Sequence, residues 1–270
     1  MSRRKKKGPG PLVVIGGAED RGARSKVLRE FVRLAGGRRA SLAIISVASE
    51  APVEVASIYI ESFLRLGAED VRALDVADRG AANSDAAVEA VATATGVFFT
   101  GGNQLRITQQ LGGTRLDTEL HRRHEEGLVI AGTSAGAAMM SSVMIAGSSP
   151  QLTLRAGMVE LGSGLGFLPG VLIDQHFEQR GRLRRLLAAI VQHPHELGLG
   201  IDENTAAVVR GHRLEVFGEG SVTIVDAGAL THTNLGAVER HELLAISAVR
   251  LHILPAGYRF DLRNRTLDAS

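Results

Sequence analysis

Five apolar runs recur through the first half of the chain, separated by amphipathic stretches, and this beat narrows the fold more than any other feature. The runs are Leu12–Ile15, Ser41–Ser46, Val71–Val76, Gly96–Thr100 and Leu128–Gly132. Between them, Ser25–Leu34, Val53–Leu66 and Asp85–Ala94 carry apolar residues at helical spacing. Runs apolar on both faces, alternating with helices, predict an α/β fold with a mostly parallel sheet flanked by helices. Ligands of such sheets bind beyond the carboxyl ends of the strands. Gly16-Gly17, Gly101-Gly102 and Ser134 all fall at such ends.

The later sequence has a different texture. Val171–Asp174 reads as a strand and Leu183–Val191 as a helix. Leu197–Ile201, Thr205–Arg210, Arg213–Phe217 and Ser221–Val225 follow too closely for intervening helices. They predict an antiparallel meander on the same core, and residues 244–262 offer one or two further strands. Gly147–Ser149 and Gly157–Gly166 read as loops. The expected organisation is a disordered basic arm over 1–10 and a single α/β domain over 11–270.

Composition removes several classes of function. The chain has no cysteine, which excludes disulfides, thiolate catalysis and cysteine zinc sites. A net charge of +2 over 270 residues is too near neutral to argue for nucleic acid. The basic start runs into only a short apolar stretch, and no run reaches membrane-spanning length, so a cytoplasmic protein is expected. Gly16-Gly17-Ala-Glu-Asp20 lacks the spacing of a dinucleotide or P-loop motif, and no cofactor or metal is expected.

Gly132-Thr-Ser-Ala-Gly136 directly follows an apolar strand and opens a helix. This is the pattern of a nucleophile elbow, in which Ser134 stands on a sharp turn. A serine hydroxyl needs a neighbouring base. Of nine histidines, His176 alone follows a buried strand at its carboxyl end. For the orienting acid, Asp202 and Glu203 both follow Leu199–Ile201, and alternation sends them to opposite faces. Sequence alone leaves that choice open, with Asp174 a further carboxylate two residues from His176. Gly101-Gly102 sits after a buried strand, and the Gly102 and Ala135 N–H groups could together hold an oxyanion. Arg180, Arg182, Arg184 and Arg185 follow His176 closely and could clamp carboxylates, or could be a solvated helix start.

Together these segments carry a resemblance. Leu12–Asp20, Phe98–Gln104, Gly132–Ala137, Asp174–Arg182 and Gly200–Ala206 stand in the order found in the cyanophycinase family, serine peptidases related to dipeptidase E. The resemblance spans about residues 11–226 and is most specific in Asp174–Arg182 combined with Gly200–Ala206. It implies a flavodoxin-like fold of the class I glutamine amidotransferase kind, with serine in place of cysteine. It also implies cleavage of cyanophycin, a poly-aspartate backbone bearing arginine on each β-carboxyl, to β-aspartyl-arginine. Carried over by position, Ser134 would be the nucleophile, His176 the base and Glu203 the acid, with Gly102 and Ala135 at the oxyanion. Gln104, Asp174, Gln175, Arg180, Arg182 and Arg185 would line the substrate pocket, while Arg184 falls outside the pattern. A homodimer is a further implication. Three other readings compete: an aspartyl or isoaspartyl dipeptidase of this fold, a non-catalytic binding protein on it, and an α/β-hydrolase esterase. The esterase places its acid before its histidine, whereas here the order is Ser, His, Glu.

Overall fold

The computed structural model describes residues 8–148 and 153–268. Most of the expected basic arm (1–7) and Ser149 of an expected loop lie outside these residues. Gly10, also expected in the arm, is instead buried, and its N–H donates to the His124 carbonyl at 2.7 Å.

The chain begins with β1 (Leu12–Ile15), α1 (Lys26–Leu34), β2 (Ser41–Ile45), α2 (Pro52–Arg65) and β3 (Asp70–Leu74). It continues through α3 (Arg79–Ala82), α4 (Asp85–Thr93), β4 (Gly96–Phe99), α5 (Gln104–Leu111), α6 (Arg115–Glu125), β5 (Val129–Thr133) and α7 (Ala135–Ala138). A hairpin, β6 (Val143–Ser148) and β7 (Val159–Ser163), leads to β8 (Val171–Gln175) and α8 (Leu183–Gln192). The remainder is strands: β9 (Leu197–Ile201), β10 (Thr205–Arg210), β11 (Arg213–Gly218), β12 (Ser221–Asp226), β13 (His232–Thr233), β14 (Ile246–Ser247), β15 (Arg250–Pro255), β16 (Arg259–Asp261) and β17 (Thr266–Leu267).

Nine strands form the main sheet, in the order β17-β16-β11-β10-β1-β5-β4-β2-β3. The half from β1 to β3 is parallel, and from β10 outward every pairing is antiparallel. The expected parallel α/β core with added antiparallel strands is therefore what the chain forms. Alternation along the strands sorts the side chains. Val13, Ile15, Leu42, Ile44 and Phe98 pack on one face against α1 and α2. Val14, Ala43, Ile45, Val97 and Phe99 pack on the other, with α4–α7 and the second sheet. The helices start where local chemistry allows: Ser25 caps α1 by accepting the Leu28 N–H, and Pro52 opens α2 at a position needing no donor.

Two readings need correction. The meander does not stay on one sheet. β9 and β12 join β8 and β15 in a second sheet of order β15-β12-β9-β8, whereas β10 and β11 extend the main one. The chain crosses between sheets at Asp202–Asn204, where Asn204 adopts a φ of 51° and breaks the extended run. The Gly147–Ser149 and Gly157–Gly166 segments are not all loop, because Gly147 and Ser148 end β6 and Val159–Ser163 pairs with it. The glycines of the second segment hid its strand: Gly162 fits where a Cβ would already touch the Ala146 side chain at 3.4 Å.

Phe98 is fully buried, with ring centroids 4.6 Å from Tyr59, 5.1 Å from Phe63 and 5.7 Å from Phe31. This cluster fastens α1 and α2 to the sheet beneath the Ser134 strand. Phe98→Ala is expected to lower unfolding free energy by about 3–5 kcal/mol, as read by urea denaturation. A loss below about 1 kcal/mol would show that the cluster closes over the cavity.

Candidate active site

The site is built at the carboxyl edge of β1. Three successive carbonyls leave that strand, those of Ile15, Gly16 and Gly17. They accept the N–H groups of Ser134 at 3.0 Å, His176 at 2.7 Å and Asn204 at 2.9 Å. One strand end thus gathers residues from three distant loops. Each bound residue has a positive φ without being glycine: 53° at Ser134, 48° at His176 and 51° at Asn204. Such backbone is disfavoured by about 1–3 kcal/mol per residue and persists only when its surroundings fix it.

The elbow has a steric reason for both of its glycines. A Cβ on Gly132 would lie 2.0 Å from the Gly136 carbonyl oxygen, and one on Gly136 would lie 2.4 Å from that of Phe99. The strand end and the short α7 therefore touch backbone to backbone, and Ser134 projects, half-buried, from the tip. Gly17 serves the histidine in the same way, since a Cβ there would sit 2.4 Å from the imidazole.

The structure brings Ser134, His176 and Glu203 into one hydrogen-bonded series. His176 Nε2 lies 3.1 Å from Ser134 Oγ, and His176 Nδ1 lies 2.6 Å from Glu203 Oε1. Asp202 is occupied elsewhere. Its carboxylate accepts the Glu178 N–H at 3.1 Å and both the N–H and hydroxyl of Ser221 at 2.9 Å. Burial holds the His176 pKa below the ordinary histidine value. The hydrogen bond to Glu203 opposes that shift, and the nearby Arg180 charge adds to it. The imidazole therefore rests neutral at neutral pH, with a free lone pair for a proton.

Gly102 lies beside the elbow. Its φ of 141° and a Cβ position only 2.1 Å from the Ala48 carbonyl oxygen admit glycine alone. The neighbouring Gly101 comes within contact of Ser134, with its Cβ position 3.3 Å from the serine Cβ. Among the described residues the Gly102 N–H has no acceptor. The Ala135 N–H, at the first position of α7, has none within the helix either.

The other expected pocket residues form a lattice of their own. Asp174, with no exposed side-chain surface, takes Arg185 in a two-point contact, Nε to Oδ2 at 2.7 Å and Nη2 to Oδ1. Arg182 binds the carbonyl and side-chain oxygens of Gln175, the latter at 2.7 Å, and lies 3.5 Å from Asp174. Burial, with the adjacent charge of Arg185, pushes the Arg182 pKa down to about 10, so it stays protonated at neutral pH. Arg182 and Arg185 are largely engaged by the protein, and Asp174 faces them rather than a pocket. Arg180 is exposed, and among the described residues it has no partner. Arg184 is exposed, as expected for a residue outside the pattern. Gln104 donates to the Ile145 carbonyl at 2.8 Å and ties the start of α5 to the β6–β7 hairpin.

Sequence reasoning missed Glu19. This carboxylate is buried under the elbow, where it accepts the Thr133 hydroxyl at 2.6 Å and the Tyr59 hydroxyl. Burial first, then the Glu19 charge, push the Tyr59 pKa far up, so the phenol remains a donor. The acidic residue after Gly16-Gly17 was visible in the sequence, but its partners were not. Gln179 was missed too; its side chain accepts the Glu203 N–H at 3.0 Å.

A hydroxyl, an imidazole and a carboxylate in series on this sheet edge fit a serine-type peptidase. The model of Peptidase family S51 matches residues 12–217, and the chain belongs to that family. A cyanophycinase of Nostoc sp. is 44% identical over 258 residues, covering 95% of this chain and 87% of the relative. A cyanophycinase of Geminocystis herdmanii is 43% identical over 252 residues, covering 93% of each chain. Among solved structures, a peptidase from an acI-B1 Actinobacterium superposes with a TM-score of 0.66 at 24% identity, covering 94% of this chain and 97% of that one. Among the described residues, no helix is long and apolar enough to cross a membrane.

The clash at Gly17 gives a test of how the histidine is positioned. Gly17→Ala is expected to leave the fold intact but displace the imidazole from Ser134. Peptidase activity should fall by about 10²-fold, and because Gly17 holds a φ of 101° the alanine also strains the backbone, so the melting temperature should drop by a few degrees. Unchanged activity would show that the ring does not depend on that space.

Proposed function

We propose that the chain is a serine exopeptidase that hydrolyses cyanophycin to β-aspartyl-arginine dipeptides. The carrying observation is the series from Ser134 Oγ through His176 to Glu203, at 3.1 and 2.6 Å, beside an uncommitted Gly102 N–H. Similarity to two proteins named cyanophycinase supports the substrate class.

In this reading Ser134 attacks a backbone carbonyl of the polymer while His176 Nε2 takes its proton. Glu203 holds the imidazole in the tautomer with hydrogen on Nδ1 and stabilises the cation that forms. The Gly102 and Ala135 N–H groups receive the negative charge of the tetrahedral intermediate. His176 then protonates the leaving amine. Water, deprotonated by the same imidazole, releases the acyl group and restores the serine. Arg180 is the arginine left to meet a substrate carboxylate. Arg182 and Arg185, braced on Gln175 and Asp174, give the pocket wall its shape and positive charge. Gln104 keeps a side-chain carbonyl for the substrate. The reading includes a cytoplasmic homodimer built on one domain over residues 11–270.

Purified protein and its Ser134→Ala variant, incubated with insoluble cyanophycin, decide the reading. Release of β-aspartyl-arginine by the parent protein alone is the expected result. Intact polymer together with cleavage of isoaspartyl dipeptides would move the substrate to short peptides. Full activity in Ser134→Ala would remove the serine mechanism.

The pH profile carries a sign. The base works when neutral, so kcat/KM rises as His176 loses its proton. Because the folded pKa is lowered, the acid limb should have its midpoint below ~6.5. Arg180→Gln removes a positive charge near the ring and should move that midpoint upward. A limb that moves downward would contradict the electrostatics.

A further inference from the structure

A second cavity adjoins the oxyanion loop. It occupies about 470 Å³ between the carboxyl ends of β2 and β3 and the start of α2. Its polar lining includes Ser46, Glu50, Asp75 and Arg106, and Ala56 and Ile60 form part of an apolar wall. The cavity and the Gly102 loop share one stretch of backbone. Gly102 packs on the Ala48 carbonyl, and Asn103 donates its N–H to that oxygen at 2.9 Å. Arg106 donates to the next carbonyl, that of Ser49, at 3.1 Å.

Three observations say what this cavity is made for. Glu50 and Asp75 are exposed, and neither carboxylate has an ion-pair or hydrogen-bond partner among the described residues. Ser46 is only 6% exposed, yet its hydroxyl also lacks a partner there and lines the cavity. The residue is buried but its hydroxyl oxygen is open to solvent on the cavity side, so it is available to an occupant. Finally, both charge signs are present: two free carboxylates and one guanidinium whose Nη1 donates to the Ser49 carbonyl. Two free carboxylates disfavour a phosphate or any polyanion. A neutral peptide would leave them unpaired.

An arginine joined to the polymer through its α-amine has the complementary form. It carries a guanidinium, an apolar stem and a free α-carboxylate. We propose that this cavity is the subsite for one arginine branch next to the cleaved bond. Glu50 and Asp75 bind the guanidinium, Ala56 and Ile60 the methylene stem, Arg106 the α-carboxylate, and the Ser46 hydroxyl accepts a further guanidinium N–H. The proposal rests on the function reading above, and adds to it the groups that recognise the cationic half of the substrate.

The test compares soluble oligomers of β-aspartyl-arginine with matched oligomers carrying citrulline, which keeps the shape and loses the charge. The parent protein should favour the arginine series in kcat/KM. The Glu50→Gln/Asp75→Asn double variant should lose about tenfold or more on arginine oligomers, mainly through KM, and stay near parental on citrulline. A preference that survives the double variant, or equal losses on both series, overturns the subsite. Arg106→Gln should weaken arginine oligomers but not those whose α-carboxylates are amidated; equal weakening of both overturns its assignment. A second measurement does not depend on turnover. Agmatine, a guanidinium with no carboxylate, is titrated calorimetrically into Ser134→Ala with and without the double change. Binding at least about tenfold weaker with the double change supports the cavity, and equal binding overturns it. Failure of the parent protein to cut either oligomer series counts against the function reading, and the agmatine titration then decides the cavity alone.

Discussion

The hydrogen bonds accepted by the carbonyls of Ile15, Gly16 and Gly17 are the constraint on which the rest of the site depends. They are ordinary in length, and each is worth only about 0.5–1.5 kcal/mol net. Their effect is positional. Each holds a residue in a backbone conformation that L side chains avoid, and each of those residues is Ser134, His176 or the neighbour of Glu203. The twin glycines of the loop let three segments of the chain converge on one strand end. The second of them also leaves room for the imidazole. A motif that resembled an incomplete phosphate loop in the sequence is thus the frame of the site.

Charge around that frame is arranged in two layers. Asp174 and Gln175 hold Arg182 and Arg185 from below, which satisfies buried groups and fixes the wall. Arg180 remains free at the surface and acts on His176 through space. An arginine run in a sequence reports charge but not partners. Here the partner of one arginine is a buried carboxylate eleven positions earlier.

Much of this was legible in the sequence, for identifiable reasons. The parallel core could be read because its strands are apolar on both faces, as Leu12–Ile15 and Ser41–Ile45 show. The elbow could be read because Gly132 and Gly136 answer to close backbone contacts. The choice between Asp202 and Glu203 could not be read from the residues themselves, and only the family resemblance pointed to Glu203. Both residues follow the same strand, and what separates them is Ser221, which occupies Asp202 from another strand. The change of sheet after β9 was hidden for a similar reason. Local pattern favours a continuous meander, but β10 pairs with β1, nearly two hundred residues earlier. Glu19 met Thr133 and Tyr59 only through folding, across separations no periodicity reports.

The crossing at Asp202–Asn204 has a consequence for when the chain becomes a peptidase. Ser134 belongs to the main sheet and His176 to the second, so the two meet only after both sheets exist and β10 has closed onto β1. Contacts of such long sequence separation form late in folding. A partly made chain can hold the β5–α7 turn without yet bringing His176 to Ser134. Assembly of the series Ser134–His176–Glu203 is thereby tied to completion of the fold, because its members come from segments that only the finished sheets bring together.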